Sequence, residues 1–153
     1  LAMGRRGTPR RLGIPGEDLP NVTCALDDPD QYRGRRVVIV GGGDSALEAA
    51  TTLAKVPGAE VALVHRGPSF ERAKPQSIAR VDAAVAADRL VVLMESRVTR
   101  ITSDRIEIET RGRRKAYLND VVIICAGGAL PTDFLRKAGI RIETVHGKAK
   151  AVA

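Results

Sequence analysis

Apolar residues recur along this chain in two rhythms. Arg36-Val37-Val38-Ile39-Val40, residues 59–65, residues 90–94 and Val121-Val122-Ile123-Ile124-Cys125-Ala126 are continuous runs, mostly β-branched. A strand that is apolar at nearly every position is covered on both faces, the usual condition of a parallel sheet. Between these runs, residues 44–55 and 75–88 place apolar side chains at helical spacing. Leu47, Ala50, Thr51 and Ala54 share a face of the first helix, and Ile78, Val81 and Val85 point inward from the second. Asp44 or Ser45 stands near the cap of the first helix, and Pro57-Gly58 ends it. Pro75 opens the second at a position helices tolerate.

A different rhythm follows. Arg105-Ile106-Glu107-Ile108-Glu109 alternates strictly, so one face is wet and the other buried. With turns at Ser103-Asp104 and Arg111-Gly112, residues 97–118 are predicted to form an antiparallel meander of three short strands. Residues 132–138 read as a short helix closed by Gly139, and residues 140–143 as an edge strand. Residues 1–33 are rich in Gly, Pro and Arg and predict extended and turn structure, with Leu1-Ala2-Met3-Gly4 as the cut end of a strand. The elements together predict an α/β fold: a Rossmann-type three-layer domain with a central parallel sheet and a three-stranded antiparallel meander.

Composition refines this picture. Aromatic residues make up only 3% of the chain, so the core must rest on Val, Ile, Leu and Ala. The formal net charge of +7 is scattered through residues 5–11, 33–36 and 111–115. With no aromatic platform for bases, it reads as a solvated basic surface rather than a nucleic-acid site. The apolar runs are too short to cross a bilayer, and the first residues carry no secretory pattern. Cys24 and Cys125 lie far apart in the chain and form neither a CxxC nor a metal-ligand set. The expectation is a cytoplasmic protein with no metal and no membrane partner.

The candidate chemistry lies at Gly41-Gly42-Gly43-Asp44-Ser45-Ala46, a G-x-G-x-x-A pattern between a buried strand and an amphipathic helix. In that context the pattern marks a dinucleotide site. Gly41 permits the tight turn, Gly43 lets the backbone approach a pyrophosphate, and Ala46 keeps helix and sheet close. The free amides of the first helical turn then receive the phosphates. A glycine-rich turn without a ligand is the alternative, and the flanking strand and helix speak against it. At the end of the second strand, where an NAD site places a carboxylate for the ribose hydroxyl, stands His65-Arg66. A guanidinium pairs with a 2′-phosphate, so Arg66 and Arg72 favour NADPH, with NADH as the alternative.

The run from Val38 through the glycines to Leu47-Glu48-Ala49-Ala50, followed by Val64-His65-Arg66, resembles the NADPH domain of the thioredoxin reductase-like (pyridine nucleotide-disulfide oxidoreductase) family. That resemblance implies a chain running from half of an FAD domain through the NADPH domain and back. Residues 1–33 would be the end of an FAD-domain half and a linker, 34–130 the NAD(P)H-binding domain, and 131–153 the return segment. It further implies that Ala126 and Gly127 lie near the nicotinamide and that Glu48 faces the nicotinamide–flavin junction. Two features depart from the family pattern. Gly67 stands where a second arginine is usual, and Cys24 stands alone where thioredoxin reductases carry a CxxC. A lone thiol cannot cycle as an intramolecular dithiol. Cys24 is therefore expected to be structural, and Cys125 to be core.

The implied function is hydride delivery from NADPH to FAD held by parts of the protein outside this chain. Electrons would pass onward to a disulfide, a thiol compound or an iron–sulfur protein, and the full-length enzyme could be a homodimer. This stretch alone should bind dinucleotide without completing a turnover. The contrasting reading is a non-catalytic dinucleotide-binding or sensing module.

Overall fold

The protein is represented by a computed structural model that describes residues 10–127. The expected helix at 132–138, the edge strand at 140–143 and the strand end at 1–4 lie outside the described residues. Pro9–Gly127 forms one compact unit.

Five parallel strands make the central sheet: β1 (Val22–Thr23), β2 (Arg36–Gly41), β3 (Glu60–Val64), β4 (Val91–Leu93) and, last in the chain, β8 (Val121–Cys125). Their spatial order is β1-β8-β2-β3-β4. The register pairs Val37 with Val61 and Val121, and Ile39 with Leu63 and Ile123. Helices α1 (Asp44–Leu53) and α2 (Pro75–Ala86) supply the crossovers on one face. The meander, β5 (Ser96–Ile101), β6 (Arg105–Thr110) and β7 (Arg113–Leu118), forms a separate antiparallel sheet in that order.

Alternation along the parallel strands divides the core in two. Val37, Ile39, Val61, Leu63 and Ile123 face the helices and pack with Leu47, Ala50, Leu53 and Val81. Val38, Val64, Val122 and Ile124 face the other way and pack with Val98, Ile101, Ile106 and Ile108 of the meander. Successive strand residues point to opposite faces, so a run apolar throughout can serve both layers at once. The predicted three-layer architecture is the one observed.

Several local expectations shift. The α1 cap is Gly43, without a side-chain cap bond, and Asp44 is the first helical residue. Thr51 is half-buried, its hydroxyl turned back to donate to the Leu47 carbonyl at 2.9 Å. Ala46 and Ala49 are buried in its place beside Leu47, Ala50 and Leu53. Val85, expected to point inward, is 40% exposed in the last turn of α2, whereas Val81 one turn earlier is buried. The buried stripe of α2 runs through Ser77, Ile78, Val81 and Ala84, so Val85 falls beside it rather than on it. The N-terminal segment does more than turn. β1 adds to the sheet edge through Val22↔Val122 and Thr23↔Ile123, and a 3-10 helix at Pro29–Tyr32 buries Tyr32. Cys125 is half-buried against the helix-side core, and burial pushes its thiol up to about 11; Cys24 is exposed.

Candidate functional site

From β2 the chain steps outward through β3 and β4, then returns at β8 on the other side of β2. This reversal leaves the carboxyl end of β2 facing a crevice, the place where open α/β sheets bind ligands. The glycine loop sits there because β2 ends at Gly41 and α1 begins at Asp44.

Its three glycines are glycine for different reasons. A Cβ on Gly41 would lie 2.6 Å from the Cys125 carbonyl oxygen and 2.8 Å from the Ala46 Cβ, and its φ is +157°. Strand and helix meet so closely there that neither Gly41 nor the fully buried Ala46 has room to grow. A Cβ on Gly42 would fall inside the His65 imidazole. Gly43 is different: its φ of −96° and ψ of 176° suit any residue, and a Cβ would meet nothing within 4 Å. Neither backbone nor packing within the described residues requires a glycine at 43. What its missing side chain leaves is open space beside the helix N-terminus.

That space is lined with donors. The Ala46 and Leu47 amides donate to the Gly43 carbonyl at 3.0 and 3.2 Å. The amides of Gly43, Asp44 and Ser45 have no acceptor among the described residues. They are the orphan N–H groups of a helix start, at the positive end of its dipole. The Asp44 carboxylate would be an unfavourable neighbour for an anion, yet it is engaged elsewhere. It accepts from the Lys74 amide at 2.9 Å and the Ser77 hydroxyl at 2.8 Å, and these two bonds hold it below the ordinary carboxylate range. Asp44 thereby ties the start of α1 to the start of α2. Sequence reasoning missed this anchor; its one local trace is Ser77, a buried polar residue in the first turn of α2.

His65 follows β3 and closes the loop from the other side. Its Nε2 donates to the Ser69 carbonyl at 2.9 Å, and its ring packs against Phe70 with centroids 5.1 Å apart. Arg66 is exposed and has no ion pair among the described residues. Continuing the pairing of Gly41 with Cys125 puts Ala126 beside Gly42 at the same sheet edge. Gly127 follows at φ +79°, exposed, its carbonyl accepting from the Arg10 amide at 3.1 Å. Ser45 and Glu48 lie one turn apart on the exposed side of α1. Arg72 is exposed in the loop ahead of α2. The fold thus brings the glycine loop, His65, Ala126 and Gly127 to one edge, with Arg66 beside it.

The opposite edge is closed by a charge pair. Arg36 donates to both carboxylate oxygens of Asp120, at 3.0 and 2.8 Å, and adds its own backbone amide at 2.8 Å. These bonds from the Arg36 side chain and amide hold the Asp120 carboxyl at about 2. Among the described residues no cluster of three or more His, Cys, Asp or Glu could hold a metal ion, and no helix is long and apolar enough to cross a membrane.

Comparison with known proteins gives this geometry relatives. The chain is 52% identical over 81 residues to a ferredoxin–NADP reductase of Ignicoccus hospitalis, covering 53% of this chain and 26% of that protein. It is 29% identical over 150 residues to the bacilliredoxin reductase Bdr of Bacillus subtilis, covering 97% of this chain and 46% of the relative. The solved structure of the bacillithiol disulfide reductase Bdr from Staphylococcus aureus superposes with a TM-score of 0.82 at 32% identity, over 90% of this chain and 42% of that one. The chain therefore spans less than half the length of these relatives. Residues 1–150 match the family described as pyridine nucleotide-disulphide oxidoreductase, and the chain belongs to that family.

Proposed function

We propose that this chain is the NADPH-binding part of an FAD-dependent, thioredoxin reductase-like oxidoreductase. The observation that carries the reading is Gly43, whose absent side chain keeps open a space flanked by three free amides at a helix start. A pyrophosphate fits that donor set, because its oxygens accept from backbone N–H groups and its charge suits the helix dipole. Gly43, Asp44 and Ser45 donate to it, while Gly41, Gly42 and Ala46 hold strand and helix close enough to form the cradle. His65 seals the loop, and Arg66 with Arg72 takes up the 2′-phosphate that distinguishes NADPH. Ala126 and Gly127 border the nicotinamide end, and Glu48 faces its junction with the flavin.

Residues 34–130 form the dinucleotide-binding part in this reading, and 1–33 and 131–153 lead toward a flavin-binding part. NADPH bound there supplies a hydride, and the chain's own task is to orient the dinucleotide. The names of the relatives support a disulfide, a thiol compound or an iron–sulfur protein as the final acceptor.

Titration calorimetry with NADPH and NADH tests the reading. NADPH should bind more than about a hundredfold tighter, the scale of several charge-assisted contacts to the 2′-phosphate. Gly43→Val should weaken both dinucleotides by about a hundredfold, by denying the phosphates their amide bonds. Its thermal melt should stay close to the parent's, since a Cβ at this position meets nothing within 4 Å among the described residues. A Gly43→Val protein that binds like the parent ends the proposal.

A further inference from the structure

Two backbone hydrogen bonds tie the end of β3 to the link between β4 and β5. The Ser96 amide donates to the His65 carbonyl at 2.9 Å, and the Glu95 amide to the Gly67 carbonyl at 3.0 Å. Arg66 is thereby held alongside the meander. A cleft of about 230 Å³ lies between them, bordered by Arg66, Arg97 and Arg111 together with Glu95 and Glu109. Three guanidiniums and two carboxylates thus share one small space at the end of the second strand.

The backbone invests in this arrangement. Of the three non-glycine residues with positive φ among the described residues, two face the cleft: Glu95 at +49° and Arg111 at +50°. Side chains with a Cβ are disfavoured there by roughly 1–2 kcal/mol. Their side chains meet, Arg111 donating to Glu95 Oε2 at 3.0 and 2.6 Å. Arg97 donates to Glu109 Oε1 at 3.1 and 2.7 Å, and Arg114 to Glu109 Oε2 at 2.9 Å. Arg97 and Arg111 each donate through the Nε and one terminal nitrogen, whereas a guanidinium carries five N–H donors. The carboxylates therefore hold Arg97 and Arg111 in place and leave donors to spare, and Arg66, which has no ion pair among the described residues, brings a third guanidinium to the same cleft.

Such a site takes a small dianion with several acceptor oxygens, which is the chemistry of a phosphomonoester. We infer that Arg97 and Arg111 of the meander form the far wall of a 2′-phosphate site whose near wall is Arg66. The inference rests on the dinucleotide reading of the glycine loop and assigns NADPH selection to the antiparallel sheet as well as to the loop after β3. In this fold type the ribose attached to the adenine lies at the end of the second strand, where the cleft opens.

The test compares NADP+ and NAD+ binding by calorimetry for the parent, Arg97→Ala, Arg111→Ala and the double variant. Arg97 and Arg111 are 68% and 78% exposed, so truncation leaves the core intact. Each single change should weaken NADP+ about tenfold while NAD+ moves less than twofold. Arg111→Lys should recover only part of the loss, because an ammonium cannot reproduce the fork. Competition by 2′,5′-ADP should exceed that by 5′-AMP in the parent, and that advantage should shrink in the double variant to what Arg66 and Arg72 alone supply. If the double variant keeps the parent ratio of NADP+ to NAD+ affinity, the meander has no part in selection, though the glycine-loop reading stands. If the parent binds neither dinucleotide, the glycine-loop reading falls and this inference falls with it.

Discussion

Every strand-centre residue of β2, Val37, Val38 and Ile39, is buried, whereas every residue of β7 is exposed. The parallel sheet lies between helices and meander and presents almost no charge. Among the described residues the meander packs on one side only, so β6 sends Ile106 and Ile108 inward and Glu107 and Glu109 outward, and β7 overhangs the core. The contrast separates two tasks. Apolar burial on both faces holds the crossover and its glycine loop rigidly, while the one-sided sheet carries guanidiniums and carboxylates at a surface an anion can reach.

The largest expected break in that contrast is Ile39→Ala. Ile39 is fully buried in the helix-side core, and removing it should lower stability by about 2–5 kcal/mol, read as a lower denaturant midpoint. Dinucleotide affinity, measured below the melting point, should change little if the loop is held by the sheet as a whole.

A smaller effect is expected at the amino edge. The Asp120 carboxyl is held at about 2, below its ordinary value of 3.8, so the folded state favours its ionised form. The stability it contributes is present above pH ~4 and is lost as pH falls toward ~2. With both side chains about a third exposed, solvent screening limits that contribution to on the order of 1 kcal/mol. Melts of Asp120→Asn should fall below the parent at neutral pH and converge with it near pH 2. A constant gap across that range would mean that the pair's ionisation plays no part.

The smallest effect sharpens the comparison from the other side. Tyr117 on β7 is 37% exposed, and its ring lies 5.3 Å from the Lys115 ammonium. Tyr117→Ala should cost no more than about 0.5–1 kcal/mol, the worth of an exposed cation–π contact. A loss as large as that of Ile39→Ala would mean that β7 is part of the core after all.

Where the run of residues carried a period, it was legible. The β-branched runs marked β2, β3, β4 and β8, the alternation at 105–109 marked the meander, and the glycine pattern marked the strand-to-helix turn. Each depends on neighbours a few residues away and on a burial pattern every strand or helix must satisfy. Contacts between distant segments were not legible. β1 is two residues long, too short for any period, and exists through β8 about a hundred residues later. Asp44 looked like a capping or binding residue, and its bonds to Lys74 and Ser77 appear only once two helices start side by side.

The chain's own residues therefore determined the layers, the crossover and the amide cradle, because hydrophobic period and glycine sterics act locally. Tertiary structure alone decided which charges meet. Long side chains on separate loops carry no periodicity that would pair Arg66 with Arg97 and Arg111. The hydrogen bonds from 95–96 to 65–67 help to hold them at one cleft.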